Sequence, residues 1–306
     1  MDDLSANRRV GWVLGLPPTA WLLVFFLVPL GLIWVLSFGE KRGIVDIAIT
    51  WTFDNYQRAL DPLYLQIFAK SFWFAGITTA VCLLVAFPIA LAITFATPRW
   101  KPILLLLTIL PFWTNLLIRT YALIAVLRTR GYVNFTLEWL WEKADALLVL
   151  VGLGHLQLLG ERFEPVELLY NNFAVVFGLV YVHLPFMVLP LYAALDRLDR
   201  SYIEASLDLG ASQFRTFASV VVPLALPGIV SGVIITFIPA LGSFLTPDLL
   251  GGTDSQMIAN VIERQFKSAN DWPFGAALSF LLMYITFFAL ALRAMASRGR
   301  SAMEAA

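Results

Sequence analysis

The stretch from Asp196 to Gly228, DRLDRSYIEASLDLGASQFRTFASVVVPLALPG, is a polar interruption between two long apolar runs, and its reading decides the fold. Ser201 followed three residues later by Glu204 has the spacing of a capping box, in which the hydroxyl takes a helical amide and the carboxylate reaches back to the cap. The box predicts a short helix from Tyr202. Ile203, Leu207, Ala211 and Phe214 recur at helical spacing and predict one apolar stripe. Gly210 is placed to end that helix in left-handed backbone and turn the chain. A second short helix then leads to Val220-Val221-Val222-Pro223.

Outward from this stretch the chain is apolar. Hydrophobic residues make up 59% of the 306 positions and charged residues 14%, where a soluble domain carries roughly a quarter charged. The composition predicts an all-α polytopic membrane protein. The formal charge is balanced, which gives nucleic acid nothing to bind. The single cysteine, Cys82, lies in an apolar run and excludes disulfides within one chain; a buried thiol acting as a small hydrophobe is its expected role.

Six runs are long enough to cross about 30 Å of hydrocarbon: near Trp12 to Phe38, Ser71 to Thr97, Ile103 to Leu127, Phe173 to Leu195, Phe217 to Phe244 and Phe274 to Ala296. The first is read as a retained span behind Asn7-Arg8-Arg9, without a cleavage site of the Ala-x-Ala kind. Ala146 to Leu159, with Gly152, Gly154 and His155, is shorter and fits an interfacial or re-entrant segment. Six spans put both termini, the Pro98 to Lys101 link and the Asp196 to Arg215 loop on one face. The short basic connections, with Arg9, Arg99, Lys101, Arg197, Arg200 and Arg215, make that face cytoplasmic. The opposite face carries the segments near 39 to 70, 128 to 172 and 247 to 272 and most of the carboxylates, a surplus that bears on what docks or passes there.

Ionisable residues within spans are functional candidates by default, and the chain offers few, Arg119 and His183. One Arg that never deprotonates and one His make a thin proton relay, so energy is expected to enter from outside the membrane. No G-x-x-x-x-G-K-[ST] occurs, because no lysine follows a glycine. The chain therefore has no phosphate-binding loop of that type. Two histidines, His155 and His183, leave no metal cluster or nucleophile–base pair from which to build a membrane enzyme. Pro29, Pro88, Pro111, Pro185, Pro190, Pro223, Pro227 and Pro239 are expected to kink the spans. Gly228 and Gly232 form a GxxxG suited to close helix packing. Trp113, Asn115, Arg119 and Tyr121 share the run LPFWTNLLIRTY behind Pro111, where Asn115 and Arg119, four apart, predict a polar stripe on one helix face. Trp113 and Tyr121 suit either a cavity or an aromatic belt at the membrane surface.

Glu204-Ala205-Ser206, Gly210 and Val220-Val221-Val222-Pro223 together resemble the EAA loop of permease subunits of binding-protein-dependent ABC importers. The family pattern has Ala where Ser206 stands. The resemblance implies a type I importer permease of six transmembrane helices, with coupling helices (loop about 196–216) seated on a separate ATPase through Glu204, Ala205, Ser206, Asp208 and Gly210. Six further runs, Asp54-Asn-Tyr56, Leu60-Asp-Pro-Leu-Tyr64, the Pro111 run, Leu184 to Tyr192, Pro247-Asp-Leu-Leu-Gly-Gly252 and Asp271-Trp-Pro-Phe-Gly-Ala-Ala277, make the chain similar to the B-type subunit of the spermidine/putrescine permeases over roughly Thr52 to Ser279. Residues 1–50 form a tail and first helix, and 51–300 the permease domain.

That likeness implies a second, distinct permease, two ATPase subunits that hold ATP and Mg, a periplasmic binding protein, and no cofactor on this chain. It places the protein in the bacterial inner membrane. Amine cations are held by carboxylates and aromatic faces, so Trp113, Asn115, Tyr121, Tyr181, Phe244, Asp248 and Trp272 are the candidate substrate pathway. Arg119 would repel a cation unless paired and is given a structural or gating role, with Pro223. The alternatives are a permease for another small amine or opine-like solute, and a secondary carrier that works alone.

Overall fold

In hydrocarbon no water satisfies the backbone, so each apolar run must close its own hydrogen bonds as helix. The computed structural model describes residues 14–43, 46–150 and 162–303. Asn7-Arg8-Arg9 and the Gly152, Gly154 and His155 segment lie outside them. Among the described residues, five helices are long and apolar enough to cross a membrane: Leu14–Leu36, Pro62–Phe95, Asn172–Leu195, Gln213–Leu241 and Trp272–Ala291. A bent pair, Lys101–Trp113 and Leu116–Leu150, turned by 95°, makes a sixth if the two are counted as one span.

That bend corrects the continuous third span expected over Ile103 to Leu127. Helix Lys101–Ile109 tightens into a 3-10 turn over Leu110–Trp113. Thr114 and Asn115 are extended, with ψ of 144° and 136°. Asn115 then caps a new helix, Leu116–Leu127, by accepting from the Leu117 amide at 2.8 Å. An Asn side chain that bonds its own backbone two residues on offers the chain an alternative to helix, and here that alternative wins. Elsewhere proline leaves the helix whole: Pro88, Pro185, Pro190, Pro227 and Pro239 all sit inside helices. Pro29 and Pro223 each follow a π-turn, Leu23–Leu27 and Phe217–Val221. The wider turn accommodates a ring that lacks an N–H and crowds the carbonyl before it.

The chain divides into two compact units, residues 67–260, and residues 1–66 with 261–306. In the first, the core joins Cys82, Ala86, Phe87, Ala90 and Ile93 of the second span to Met187, Val188, Leu191 and Leu195 of the fourth and Val221 and Ala225 of the fifth. The fourth and fifth spans touch through small residues. A Cβ on Gly228 would stand 2.5 Å from the Ala194 Cβ and 2.8 Å from the Pro190 carbonyl, and one on Gly232 would stand 2.6 Å from the Met187 Sδ. GxxxG is therefore a packing contact. After the bend, helix Tyr132–Leu150 is clamped to the returning chain by buried Asn134, whose amide donates to the Val166 carbonyl at 3.0 Å and accepts from the Val166 N–H at 2.9 Å.

In the other unit, strands Gly39–Lys41 and Ile47–Ile49 pair antiparallel, with Glu40 opposite Ala48. The Asn55 amide donates to the Ser37 and Gly39 carbonyls at 3.1 and 2.7 Å, tying helix Asp54–Ala59 to the hairpin. Arg58 meets Asp271 at 2.8 Å and lies 3.9 Å over the Phe274 ring, whose edge meets Tyr64 at 5.0 Å. The Asp54, Leu60 and Asp271 runs thus converge as packing partners. Two of the carboxylates in the expected acidic surplus are bound internally, Asp271 to Arg58 and Glu263 to Lys267 at 2.7 Å.

Replacing Gly228 by Leu drives a branched side chain into the Pro190 carbonyl and is expected to destabilise the fourth–fifth span contact by more than the 1–3 kcal/mol typical of overpacking. Thermal unfolding in detergent, compared with Gly76→Leu, checks this, since a Cβ at Gly76 meets nothing within 4 Å.

Candidate functional site

The loop after the fourth span builds its own geometry from backbone chemistry. Helix Arg200–Asp208 is capped by Asp199, whose Oδ1 accepts from the Ser201 amide at 3.0 Å. The expected Ser201–Glu204 capping box is therefore displaced by two residues. An ionised carboxylate is a stronger acceptor than a hydroxyl and suits the positive helix end; that bond holds the Asp199 carboxyl below its ordinary range. Glu204, Ala205 and Asp208 are left exposed.

Gly210 ends the helix at φ +82°, as the spacing predicts. The Gly210 amide donates to the Leu207 carbonyl at 2.9 Å and the Ala211 amide to the Ser206 carbonyl at 3.2 Å, the paired bonds of a Schellman turn. No atom lies within 4 Å of a Cβ built there, so the glycine is required by backbone sign and not by space. Helix Gln213–Thr216 follows, capped by Ser212. The Ser206 and Thr216 hydroxyls bond each other at 3.0 Å and lock the two short helices together. Where Ala would fill the position, Ser206 adds a tie that the sequence does not announce.

The expected single stripe divides at the turn. Ile203 packs on the core, while Phe214 is 80% exposed and Leu209 89% exposed. Residues on either side of a left-handed glycine no longer share a helix face. Leu209, which the sequence reading did not single out, and Phe214, which it placed on the stripe, are thus two large apolar side chains exposed on the same polar loop as Glu204 and Asp208.

The loop's base is braced. The Lys101 Nζ meets the Asp196 Oδ1 at 2.6 Å, and the Arg200 guanidinium lies 5.4 Å over the Phe95 ring. The hydrogen bond from Lys101 holds the Asp196 carboxyl below its ordinary range. Lys101 opens the broken span and Asp196 closes the fourth, so the pair ties two membrane segments to the loop. Pro223 stands just past the π-turn that joins the loop to the fifth span.

The candidate pathway residues are less gathered. Trp113 is 73% exposed and Tyr121 is 53% exposed, on either side of the break. Asn115 is engaged as a helix cap, so the predicted Asn115–Arg119 stripe on one helix face does not form. Tyr181 lines an open groove of about 410 Å³ between the second, broken and fourth spans, with Leu104, Leu107, Pro111, Leu184 and Pro185. Among the described residues no charged side chain lines that groove. Phe244 and Asp248 flank the turn into helix Leu245–Leu250, and the Phe244 carbonyl accepts from Asn260 at 2.8 Å. Trp272 belongs to the other unit and donates to the Asn270 Oδ1 at 2.9 Å. His183 is buried with its Nδ1 2.8 Å from the Leu179 carbonyl, a local backbone bond.

Residues 8–300 match the family described as "Binding-protein-dependent transport system inner membrane component". The chain is 39% identical to the spermidine/putrescine transport system permease protein PotB of Escherichia coli (strain K12), over 91% of this chain and 94% of that one. Its identity to PotB of Haemophilus influenzae is 38%, covering 85% and 84%. It is also 31% identical to the inner membrane ABC transporter permease protein YdcU of E. coli, covering 91% and 86%. Among solved structures, a bacterial ABC transporter importing the acidic polysaccharide alginate matches with TM-score 0.65 at 16% identity, over 95% of this chain and 98% of that one.

Asp196 is depressed by Lys101, so its contribution to stability is complete above the unfolded carboxyl value and disappears as pH falls through the still lower folded value. Protection of the Arg200–Asp208 amides from hydrogen exchange is expected to weaken across that acidic window in the native chain and to be uniformly weaker in Asp196→Asn. With Asp196 more than a third exposed, about 1 kcal/mol or less is at stake.

Proposed function

Because this chain belongs to the family of binding-protein-dependent transport system inner membrane components, we propose that it is one permease subunit of an ATP-driven importer for polyamines of the spermidine and putrescine kind. It is a multi-pass protein of the inner membrane and a transport subunit, not an enzyme. The observation that carries the fuller reading is the Asp199–Thr216 turn, rigid by its own hydrogen bonds and joined to membrane segments at both ends. Polyamines enter from the likeness to PotB, which spans nearly the whole of both chains.

On this reading both termini and the Glu204 loop are cytoplasmic. Glu204, Ala205, Asp208, Leu209 and Phe214 sit in a groove of an ATPase subunit, and Ser206 and Gly210 hold them in register. Two such ATPases bind ATP and Mg and supply the energy. Closure of the ATPase dimer moves the loop as a rigid body. Through Lys101 and Asp196 it carries the broken and fourth spans with it, and alternating access follows. This chain holds no cofactor of its own.

The apolar groove beside Tyr181 is half of a pathway. The second, distinct permease subunit completes it, and a periplasmic binding protein delivers the amine to the outer face. Aromatic side chains at Trp113, Tyr121, Tyr181 and Phe244, with the Asp248 carboxylate, supply cation–π and ionic contacts worth about 0.5 to 2 kcal/mol for each ring.

Co-purification in mild detergent tests the reading. The native chain is expected to bring down an ATPase and a second permease, whose ATP turnover rises when a binding protein delivers spermidine. Glu204→Ala is expected to lose most of the ATPase while staying in the membrane. A chain that purifies alone and moves spermidine in vesicles without ATP contradicts the importer and favours the stand-alone carrier.

A further inference from the structure

Four membrane segments end at one small cavity of about 80 Å³. Phe95 lines it from the end of the second span, Lys101 from the start of the broken one, and Leu195 with Asp196 from the end of the fourth. Val221 reaches it from the π-turn before the fifth span, and Arg200 from the first helix of the loop. The lining is mostly apolar. Lys101, Asp196 and Arg200 are the three charged side chains in it.

Those charges do not cancel. Asp196 takes one of the three Lys101 donors at 2.6 Å, and that bond holds its carboxyl below the ordinary range and ionised. The Arg200 side chain lies with its guanidinium 5.4 Å over the Phe95 ring, and among the described residues no carboxylate pairs with it. Two cations against one carboxylate leave a positive charge over. Helix Arg200–Asp208 also begins here, and its positive end adds to that charge. A cation at the first position of a helix opposes the dipole, so Arg200 weakens the helix it opens. The charged groups are within reach from outside: Arg200 is exposed, and the Lys101 and Asp196 side chains are 27% and 38% exposed.

An anion is what this charge lacks, and a guanidinium beside an ammonium is suited to phosphate oxygens. The cavity is several times the roughly 10 to 15 Å³ that one water needs, enough for a tetrahedral group. A soluble anion would use the donors but leave Phe95, Leu195 and Val221 without a partner. The cavity stands where spans end, at the level of lipid headgroups, and basic pockets between spans at that level take anionic lipids. We propose that it is a site for the phosphate of an anionic glycerophospholipid. Arg200 and the Lys101 donors that Asp196 leaves hold the phosphate, and the glycerol end lies on the apolar lining. The lipid then wedges the loop's first helix against the ends of four membrane segments. Binding is independent of the transport reading; the consequence of the wedge for uptake rests on it.

Lipid retention by the full-length chain in mild detergent, followed by native mass spectrometry, tests the site. The probes are phosphatidylglycerol, zwitterionic phosphatidylcholine and soluble glycerol 3-phosphate. The native chain is expected to keep one phosphatidylglycerol through washing that strips phosphatidylcholine. Arg200→Gln is expected to weaken that retention about fivefold, the effect of one basic charge at a membrane surface, while Arg200→Lys stays within about twofold of native. Arg128→Gln removes an exposed charge that is outside the cavity and should change retention little. Equal retention of the two lipids, native-like retention in Arg200→Gln, or an equal loss in Arg128→Gln overturns the site. Displacement of phosphatidylglycerol by glycerol 3-phosphate overturns the lipid assignment. In vesicles carrying the whole importer, spermidine uptake is expected to fall severalfold in phosphatidylcholine alone and to recover with phosphatidylglycerol; uptake indifferent to the lipid overturns the wedge. No uptake in either lipid is a failure of the importer reading instead, and the retention measurement still decides the site.

Discussion

A membrane interior without water leaves each backbone group to be satisfied by the chain itself, and the rest of this structure follows from where that rule is obeyed and where it is interrupted. Helices carry most of the apolar sequence. Interruptions occur where a local substitute exists: π-turns ahead of Pro29 and Pro223, and the Asn115 side chain at the bend of the third span. Each interruption changes the direction of a membrane segment.

The loop between the fourth and fifth spans obeys the same accounting in water. Asp199, the Gly210 turn and Ser212 satisfy the helix ends, and the Ser206–Thr216 bond fixes one short helix against the other. Such a loop moves as a unit. Lys101–Asp196 and Arg200 over Phe95 join that unit to the spans. On the proposed importer reading, a push on Glu204 or Phe214 is delivered to the membrane segments and not absorbed in the loop.

Much of this was legible in the chain. Apolar run lengths located five spans, because transfer from water sums over many residues and tolerates local irregularity. Gly210 was legible because only one backbone sign ends a helix and turns it within two residues, and glycine adopts that sign freely. Gly228 and Gly232 marked a close contact because absence of a side chain is itself the signal. The bend at Asn115 was not legible: its run is long enough to cross unbroken, and proline alone does not mark a break when Pro88 and Pro185 sit in whole helices. Asp199 and Ser201 are both sound caps of about equal rank, so composition alone does not choose between them. Arg58–Asp271 joins residues 213 positions apart and has no local signature. The outward turn of Leu209 and Phe214 depends on the direction the chain takes after Gly210, which periodicity does not encode.

The claim beneath all of this is that the Glu204–Gly210 loop passes the energy of ATP hydrolysis into the spans. Accumulation of labelled spermidine in vesicles carrying the whole importer, loaded with ATP or with a non-hydrolysable analogue, tests it most directly when the native chain is compared with Gly210→Leu. The account predicts accumulation only with hydrolysable ATP and only in the native chain, while the variant remains in the membrane and its partner still hydrolyses ATP. Accumulation by the native chain without hydrolysis, or undiminished accumulation by Gly210→Leu, would contradict it.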